Sequence, residues 1–318
     1  MIPASTERIA LVTGGGGFIG QSLVRRLLAE GWTVRNLDFV AGRIDHPRLS
    51  HWAGSFLQRE LLTEALVAVD TVFHLAATKF PREADRDPLA DAQENVTGTV
   101  MLLDRAIEAE TRRLIFASSG GTVYGPPERL PVDEDHPTRP MSAYGVSKLA
   151  CEHYLRLYDG RGRRPLSTLS LRLANPYGPR QNIDKAHGAL TTFCHRAAQR
   201  RPITIWGDGS VERDFVHIDD VSRALVRAAD AGAHGTQINI GAGKGTTLND
   251  ILALIEQVQG RRPEVIFEPG RAFDVPRSVL CSNRARELLG WQAETPLEQG
   301  VAELLAAFAP TEPALERG

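Results

Sequence analysis

The sequence predicts an α/β protein, with a doubly wound parallel sheet first and a smaller C-terminal α/β domain after it. Three observations lead there. Through the first half, short β-rich runs alternate with amphipathic segments of helix length, the pattern that right-handed βαβ units lay on a parallel sheet. The octet Thr13-Gly14-Gly15-Gly16-Gly17-Phe18-Ile19-Gly20 stands where the first strand should turn into the first helix. Beyond about Asn175 the alternation gives way to Pro- and Gly-rich irregular stretches and shorter elements, with no flexible linker between the halves.

Residues 9–12 are an unbroken apolar run, which suits a strand buried on both faces. Residues 18–28 carry apolar side chains at helical spacing. Residues 33–37, 71–75, 113–117 and 166–173 supply four more strands, each preceded by a helix-length amphipathic gap. The second half reads as a helix over 189–200, strands over 203–206 and 237–240, and a helix over 248–257. A strand over 264–267 and helices over 283–289 and 297–308 complete it, and 311–318 read as a frayed tail.

Composition narrows the function. A chain of 318 residues, 42% hydrophobic and 24% charged, can bury a substantial core. Its net charge of -2 leaves no electrostatic footprint for nucleic acid or an anionic membrane. No apolar stretch approaches the roughly 20 residues that span a bilayer, and residues 1–7 lack a basic region followed by an apolar core. The expected location is cytoplasmic. The three cysteines, Cys151, Cys194 and Cys281, are odd in number and lack CxxC spacing, so the expectation is buried spectator thiols and no metal.

Any anionic ligand must then be met by local groups, and the glycine octet supplies them. Gly14, Gly17 and Gly20 recur at every third position, and Gly15, Gly17 and Gly20 also fit GxGxxG. A Cβ in such a turn would obstruct the bend or the approach of a pyrophosphate to the amides that open the helix. The helix dipole attracts phosphate there without a net positive protein. Placed between a strand and a helix, the octet reads as the dinucleotide-binding turn of a Rossmann-type sheet, with a purely structural glycine turn as the simpler alternative. Asp38 ends the second strand about 20 residues on, where a carboxylate can accept from both ribose hydroxyls and repel a 2′-phosphate. NAD is therefore favoured over NADP, with Arg35 and Arg43 the nearby cations that speak against it; as a simpler alternative, Asp38 starts a turn.

Tyr144 and Lys148 stand one helical turn apart in the segment after Pro140, on one face. A phenol with a pKa of about 10 is a poor base at neutral pH, but an adjoining ammonium and a pyridinium would favour phenolate. Tyr144 could then remove a hydroxyl proton while a hydride leaves the same carbon. His74 follows a buried strand and reads as a satisfied structural histidine rather than a ligand.

These motifs resemble a family. The octet, Asp38, His74-Leu75-Ala76-Ala77, Asn95-Val96-Thr97-Gly98-Thr99, Thr122-Val123-Tyr124-Gly125 and Tyr144-Gly145-Val146-Ser147-Lys148 stand in the order seen in extended short-chain dehydrogenases/reductases. Asn175-Pro176-Tyr177-Gly178 and Arg213-Asp214-Phe215-Val216-His217-Ile218-Asp219-Asp220 follow in the same order. The likeness runs from about Arg8 to Phe308 and looks strongest toward nucleotide-sugar 4-epimerases acting on UDP-glucose or UDP-N-acetylglucosamine.

The resemblance implies an NAD-binding domain over 1–174, joined by parts of 211–242, and a nucleotide-sugar-binding domain over 175–318. It implies Tyr144 as catalytic acid and base, with Lys148 as its partner that also holds the nicotinamide ribose. Gly14, Gly17, Phe18, Ile19, Gly20 and Asp38 would hold the cofactor, as would Ser55, Phe56, Leu75, Ala76, Ala77, Lys79 and Asn95. Lys79 and Ser119 would also face the sugar. Asn175 and Arg213 would contact the diphosphate, and Arg271 with Asp274 would clamp phosphate and ribose, since arginine grips phosphate bidentately and carboxylate suits vicinal hydroxyls. Ion pairs or turn roles are the simpler alternatives at each. The family also implies a homodimer through helices near 95–108 and 143–157.

Three departures sharpen this. The family's catalytic Ser or Thr falls three residues before the valine of Thr122-Val123-Tyr124-Gly125, and here that residue is Gly120. Either Ser119 or Thr122 supplies the hydroxyl, or Tyr144 works alone. The acids that dehydratases and decarboxylating members carry just before that valine are replaced by Gly121 and Thr122, which favours epimerisation at C4 through a 4-keto intermediate. The adenine-contacting Asp is replaced in Gly54-Ser55-Phe56-Leu57, where Ser55 can still hydrogen-bond. A further position, seven after Arg271, holds a bulky aromatic in family members that exclude N-acetyl groups and a small residue in those that admit them. Here it is Ser278, so UDP-GlcNAc and UDP-GalNAc join UDP-glucose and UDP-galactose as candidates, with a surface loop serine the simpler alternative. The rivals are a nucleotide-sugar dehydratase or reductase, a catalytically impaired protein that binds NAD and nucleotide sugar, and a lipid-linked sugar diphosphate as substrate.

Overall fold

Residues 10–12 are buried completely, and successive side chains leave β1 for opposite layers: Ala10 and Val12 join one apolar cluster and Leu11 another. The same split recurs in β5, where Ile115 and Ala117 face one layer and Leu114 and Phe116 the other. Strands covered on both faces explain the unbroken apolar runs. The computed structural model describes residues 8–42, 44–77, 81–181, 183, 188–270 and 275–309.

In chain order the first half contains β1 (Ile9–Thr13), α1 (Phe18–Ala29), β2 (Thr33–Asp38), β3 (Leu49–Ala53), α2 (Arg59–Ala65) and β4 (Thr71–His74). Then come α3 (Pro81–Arg86), α4 (Pro88–Asp91), a π-helical stretch (Ala92–Thr97), α5 (Gly98–Glu108), β5 (Arg113–Ser119), α6 (Ala143–Tyr158) and β6 (Ser167–Leu173). The rest comprises β7 (Asn175–Tyr177), α7 (Ala189–Ala198), β8 (Ile203–Trp206), β9 (Glu212–His217), α8 (Ile218–Asp230), β10 (Thr236–Ile240) and β11 (Gly245–Thr247). It closes with α9 (Leu248–Gln259), β12 (Val265–Glu268), β13 (Arg277–Ser278), α10 (Asn283–Leu289) and α11 (Leu297–Phe308).

The main sheet has seven strands in the order β10-β6-β5-β4-β1-β2-β3, all parallel. The chain winds outward from β1 through β2 and β3, then crosses back to β4 and proceeds the other way. That reversal between β1 and β4 opens a crevice at the carboxyl ends of the strands, where ligands of such sheets bind. The sequence reading passed over β3, because an edge strand with exposed Ser50 and His51 carries no apolar run.

β10 lies at the far edge of this sheet although β7, β8 and β9 of the smaller part precede it in the chain, and α8, α10 and Trp291 pack into the same core through Leu225, Leu289 and Trp291. A separate cluster built on Tyr177, Phe193, Phe215, Ile255 and Leu304 forms the core of the smaller part. There, β7, β9, β11 and β13 make a mixed four-stranded sheet, and β8 pairs with β12. The three thiols are free, Cys151 and Cys194 buried. Among the described residues no group of three or more His, Cys, Asp or Glu side chains could hold a metal ion, and no helix is long and apolar enough to cross a membrane.

Candidate active site

The glycine octet forms the turn between β1 and α1, and four of its glycines are required by packing, among them Gly16, where a Cβ would stand 2.3 Å from the Val40 carbonyl oxygen. Gly14 has φ +76°, and a Cβ there would stand 2.8 Å from the Ala76 amide nitrogen. At Gly20 a Cβ would meet the Gly14 carbonyl at 2.1 Å, and at Gly15 it would meet Asn36 Oδ1 at 2.3 Å. Gly17 differs: its nearest neighbour would be the Gly14 oxygen at 3.3 Å. Gly17 is the N-cap of α1 and offers no side-chain cap, so the amides that begin the helix, beside Phe18 and Ile19, stay open to an anion. A pyrophosphate fits that opening.

Asp38, at the end of β2, aims Oδ2 at the Gly16 amide (2.9 Å) and Oδ1 at the Val40 amide (3.1 Å). It both starts a turn and presents its carboxylate beside the glycines. Arg35 turns away to the carbonyls of Ala65 and Val67, at 2.8 and 2.7 Å, so it does not face a 2′-phosphate. Arg43, Lys79, Arg271 and Asp274 lie outside the described residues.

Leu75, Ala76 and Ala77 leave β4 directly against Gly14; the Leu75 amide donates to Thr13 O at 3.1 Å and the Ala76 amide to Thr13 Oγ1 at 3.4 Å. His74, just before them, is buried with Nδ1 2.8 Å from Thr13 Oγ1 and Nε2 3.0 Å from Thr99 Oγ1. Burial, helped by the Lys148 charge, lowers its pKa to about 3, so the ring is neutral and structural. Phe56 packs edge-on to His74 at 5.1 Å. Ser55 spends its Oγ on the Leu57 amide at 3.1 Å, opening the turn into α2.

α6 begins with two caps: Ser142 Oγ accepts from the Gly145 amide at 3.2 Å, and Asp85 of α3 accepts from the Ala143 amide at 2.8 Å. These hold Tyr144 in the first turn beside the end of β5. Lys148, buried one turn later, donates to the Ala117 carbonyl at 2.8 Å and lies 4.5 Å from the Phe116 ring and 5.6 Å from the Tyr144 ring. Burial pulls the ammonium down to about 8. The Tyr144 phenol is pushed up by burial, with the negative charge of Asp91, and of the Cys151 thiol once ionised, adding to it. In the protein alone, burial and Asp91 therefore outweigh the help of the ammonium 5.6 Å from the ring.

Beneath this pair, fully buried Asp91 accepts from Ser147 Oγ at 2.5 Å and from Asn95 Nδ2 at 2.8 Å. Asn95 thus belongs to the π-helical stretch that joins α4 to α5 and braces α6. A second buried network ties Ser118 to Glu152, Glu152 to Arg172, and Arg172 to the Tyr124 hydroxyl. The sequence reading missed Asp91 and Glu152: apart from Asn95, four residues from Asp91, their partners lie far away in the chain.

At the end of β5, Gly120 is enclosed: a Cβ there would stand 2.5 Å from Leu280 Cδ1. The chain passes Ser119, whose carbonyl accepts from the Val123 amide at 3.1 Å, to Thr122, whose buried Oγ1 finds no hydrogen-bond partner among the described residues. The Thr122 carbonyl lies where a Cβ on Gly145 would come within 2.9 Å, so this loop backs onto the first turn of α6.

Asn175, Arg213 and Ser278 meet in the small sheet. Asn175 of β7 is the register partner of Phe215, and Ser278 of β13 the partner of Arg213, two residues earlier on β9. Alternation puts all three on one face. Asn175 Nδ2 donates to the Asp214 carbonyl at 2.9 Å, and Arg213 donates to the carbonyls of Glu212 and Val275 at 2.9 and 2.7 Å. Arg277 sits on the opposite face, paired with Glu212.

A turn for a dinucleotide and a Tyr-Lys helix at one sheet end find their match among known proteins. The model of the NAD-dependent epimerase/dehydratase family matches residues 10–241. The chain belongs to that family. It is 38% identical over 307 residues to UDP-glucose 4-epimerase of Mycolicibacterium smegmatis, covering 94% of this chain and 97% of the relative. The crystal structure of UDP-glucose 4-epimerase from Thermotoga maritima, with UDP-glucose, superposes with a TM-score of 0.88 at 34% identity, over 94% of this chain and 98% of that one. That of the Thermus thermophilus UDP-glucose 4-epimerase in complex with NAD gives 0.83 at 32% identity, over 94% and 98%.

As a member of this family the chain is an enzyme of the epimerase class, and its glycine turn fits the cofactor in the family's name.

Proposed function

We propose that the protein is an NAD-containing nucleotide-sugar 4-epimerase that interconverts UDP-GlcNAc and UDP-GalNAc, and UDP-glucose and UDP-galactose. The observation that carries the reading is the Tyr144-Lys148 face of α6 set against the end of β5, with Lys148 fixed on the Ala117 carbonyl. NAD, when bound, supplies the hydride acceptor and donor for C4 of the sugar. Gly14, Gly17 and Gly20 with the first amides of α1 would hold its pyrophosphate, and Asp38 its ribose.

Tyr144 takes the proton from the C4 hydroxyl and returns it after the 4-keto sugar has turned over. Lys148 orients the nicotinamide ribose and offsets the phenolate charge. Thr122 Oγ1, buried and without a partner among the described residues, is available to hydrogen-bond the reacting oxygen, and Ser119 stands at the same strand end. Asn175 and Arg213 hold the diphosphate, so the sugar can rotate about a fixed anchor. Ser278 leaves room for a 2-acetamido group. Gly121 has nothing within 4 Å and contributes no acid for eliminating water, which supports epimerisation over dehydration.

A homodimer accompanies this reading. Val146 and Leu157, each 54% exposed, fall on one face of α6, with exposed Tyr154 beside them; a second copy would cover them.

The test is incubation with a panel of UDP-, dTDP- and GDP-sugars, with products identified by NMR. Equilibration of one C4 pair without added NAD supports the assignment. A deoxy-keto sugar, or a stoichiometric change in NADH absorbance, overturns it.

A further inference from the structure

Asp214 is 1% exposed, yet its carboxylate accepts three backbone N–H groups from two distant segments. Oδ1 takes the Ala242 amide at 2.8 Å; Oδ2 takes those of Gly243 and Leu280, both at 3.2 Å. Ala242 and Gly243 follow β10, the edge strand of the main sheet, whereas Leu280 follows β13 of the small sheet. Its backbone carbonyl holds Asn175, and its chain neighbour is Arg213. Leu280, in turn, is the side chain that fills the space beside Gly120, between Ser119 and Thr122.

We propose that Asp214 is a positioning residue: its three amide bonds register the face that carries Asn175, Arg213 and Ser278 against the carboxyl end of β5, and so fix where a bound nucleoside diphosphate holds its sugar. This rests on the function proposed above. A carboxylate is the group suited to the task, because two oxygens carry lone pairs enough for three donors and bring no N–H of their own. An amide at this position accepts through one oxygen only and sets an NH2 against a backbone N–H, leaving a buried donor unpaired. Burial raises the Asp214 carboxyl to about 6, the three amides pulling the other way; above that pH the site holds a carboxylate.

Two variants test the idea on the NAD-loaded protein. Asp214→Asn removes acceptors directly. Gly241→Ala leaves Asp214 unchanged but places a methyl 2.3 Å from its Oδ2, displacing the carboxylate from outside should the first variant fail to fold. The readouts are UDP affinity by calorimetry, NAD content by absorbance, and steady-state kinetics on the C4 pair that the wild type equilibrates. Loosened anchoring of ground and transition states together should raise the UDP Kd and the KM by about tenfold or more, with kcat falling less than about threefold and NAD content unchanged. The inference is overturned if the folded variants bind UDP within about twofold of wild type, or lose kcat while KM holds. Wild-type protein that equilibrates no C4 pair would refute the proposed function instead, and the UDP titrations would still decide the role of Asp214.

Discussion

Lys148 stands one turn after Tyr144 on α6, its Nζ 5.6 Å from the centre of the Tyr144 ring and 2.8 Å from the Ala117 carbonyl. Holding the ammonium on β5 keeps it beside the ring without a direct hydrogen bond to the phenol. Tyr144→Phe removes one oxygen from a half-buried ring and nothing from the caps on Ser142 and Asp85. The variant should keep its melting temperature and its NAD, while kcat falls by about 10³-fold or more, as removal of a general acid-base requires. NMR-monitored equilibration checks this, and activity within tenfold of wild type would remove Tyr144 from the chemistry.

Glycines of one turn should fail in different ways. Gly20→Ala drives a Cβ to 2.1 Å from the Gly14 carbonyl, and backbone cannot step aside, so the cofactor-free protein should lose about 1–3 kcal/mol or more. Gly17→Ala meets only one atom, at 3.3 Å. It should fold with a melting temperature near that of wild type yet copurify with little NAD, because its methyl projects where the pyrophosphate would lie. Thermal unfolding together with NAD content separates the two; equal loss of cofactor and of stability in both variants would contradict this division.

Restoring the family's hydroxyl at Gly120 should not help. Gly120→Ser would place its Cβ 2.5 Å from Leu280 Cδ1, with an expected cost of about 1–3 kcal/mol and no gain in kcat. Thr122→Val is the informative counterpart, since Oγ1 has no partner to lose among the described residues. Stability should hold while kcat drops by about tenfold or more. If Thr122→Val is fully active and Ser119→Ala is not, the hydroxyl comes from Ser119.

The main sheet was legible because strands buried on both faces leave apolar runs such as 9–12, and the glycine turn because its backbone admits no side chains. The Tyr144-Lys148 face followed from helical spacing together with its place after a strand of the parallel sheet. The small sheet was much less so. Its strands are as short as Arg277–Ser278, and what joins them is register between residues far apart in sequence, Asn175 with Phe215 and Ser278 with Arg213. Asp91, Glu152 and Asp214 were opaque for a related reason: apart from Asn95 beside Asp91, their partners are hydroxyls, a guanidinium and backbone amides that only the fold brings near. The upward shift of the Tyr144 phenol comes first from burial and then from Asp91, which no local pattern connects to it.

The exposed face of α6 gives a prediction about assembly. Val146 and Leu157 are three turns apart on that face, and an unpaired carboxylate is strongly disfavoured in an apolar contact. The double variant Val146→Glu/Leu157→Glu should sediment as a monomer where wild type sediments as a dimer. A wild type that is monomeric at micromolar concentration, or a variant that stays dimeric, rules this face out.

His74 sets an acid limit on stability. In the fold its pKa is about 3, lowered first by burial and then by Lys148, whereas in the unfolded chain it is about 6.5. Between those values the unfolded state binds more protons, so the stabilisation is whole above pH 6.5 and is lost as pH falls toward 3. At pH 5 the loss should be about 2 kcal/mol. Asp214, raised to about 6, works in the opposite sense, since acidification from 6 to about 4 favours the fold, and a single stability curve would blend the two. His74→Gln separates them: the variant is less stable at pH 7, for it loses packing against Phe56 and Phe116, but it has no imidazole to titrate. The gap between variant and wild type in urea unfolding should therefore narrow by about 2 kcal/mol from pH 7 to pH 5, and a gap that stays constant would mean that His74 is not held neutral by the fold.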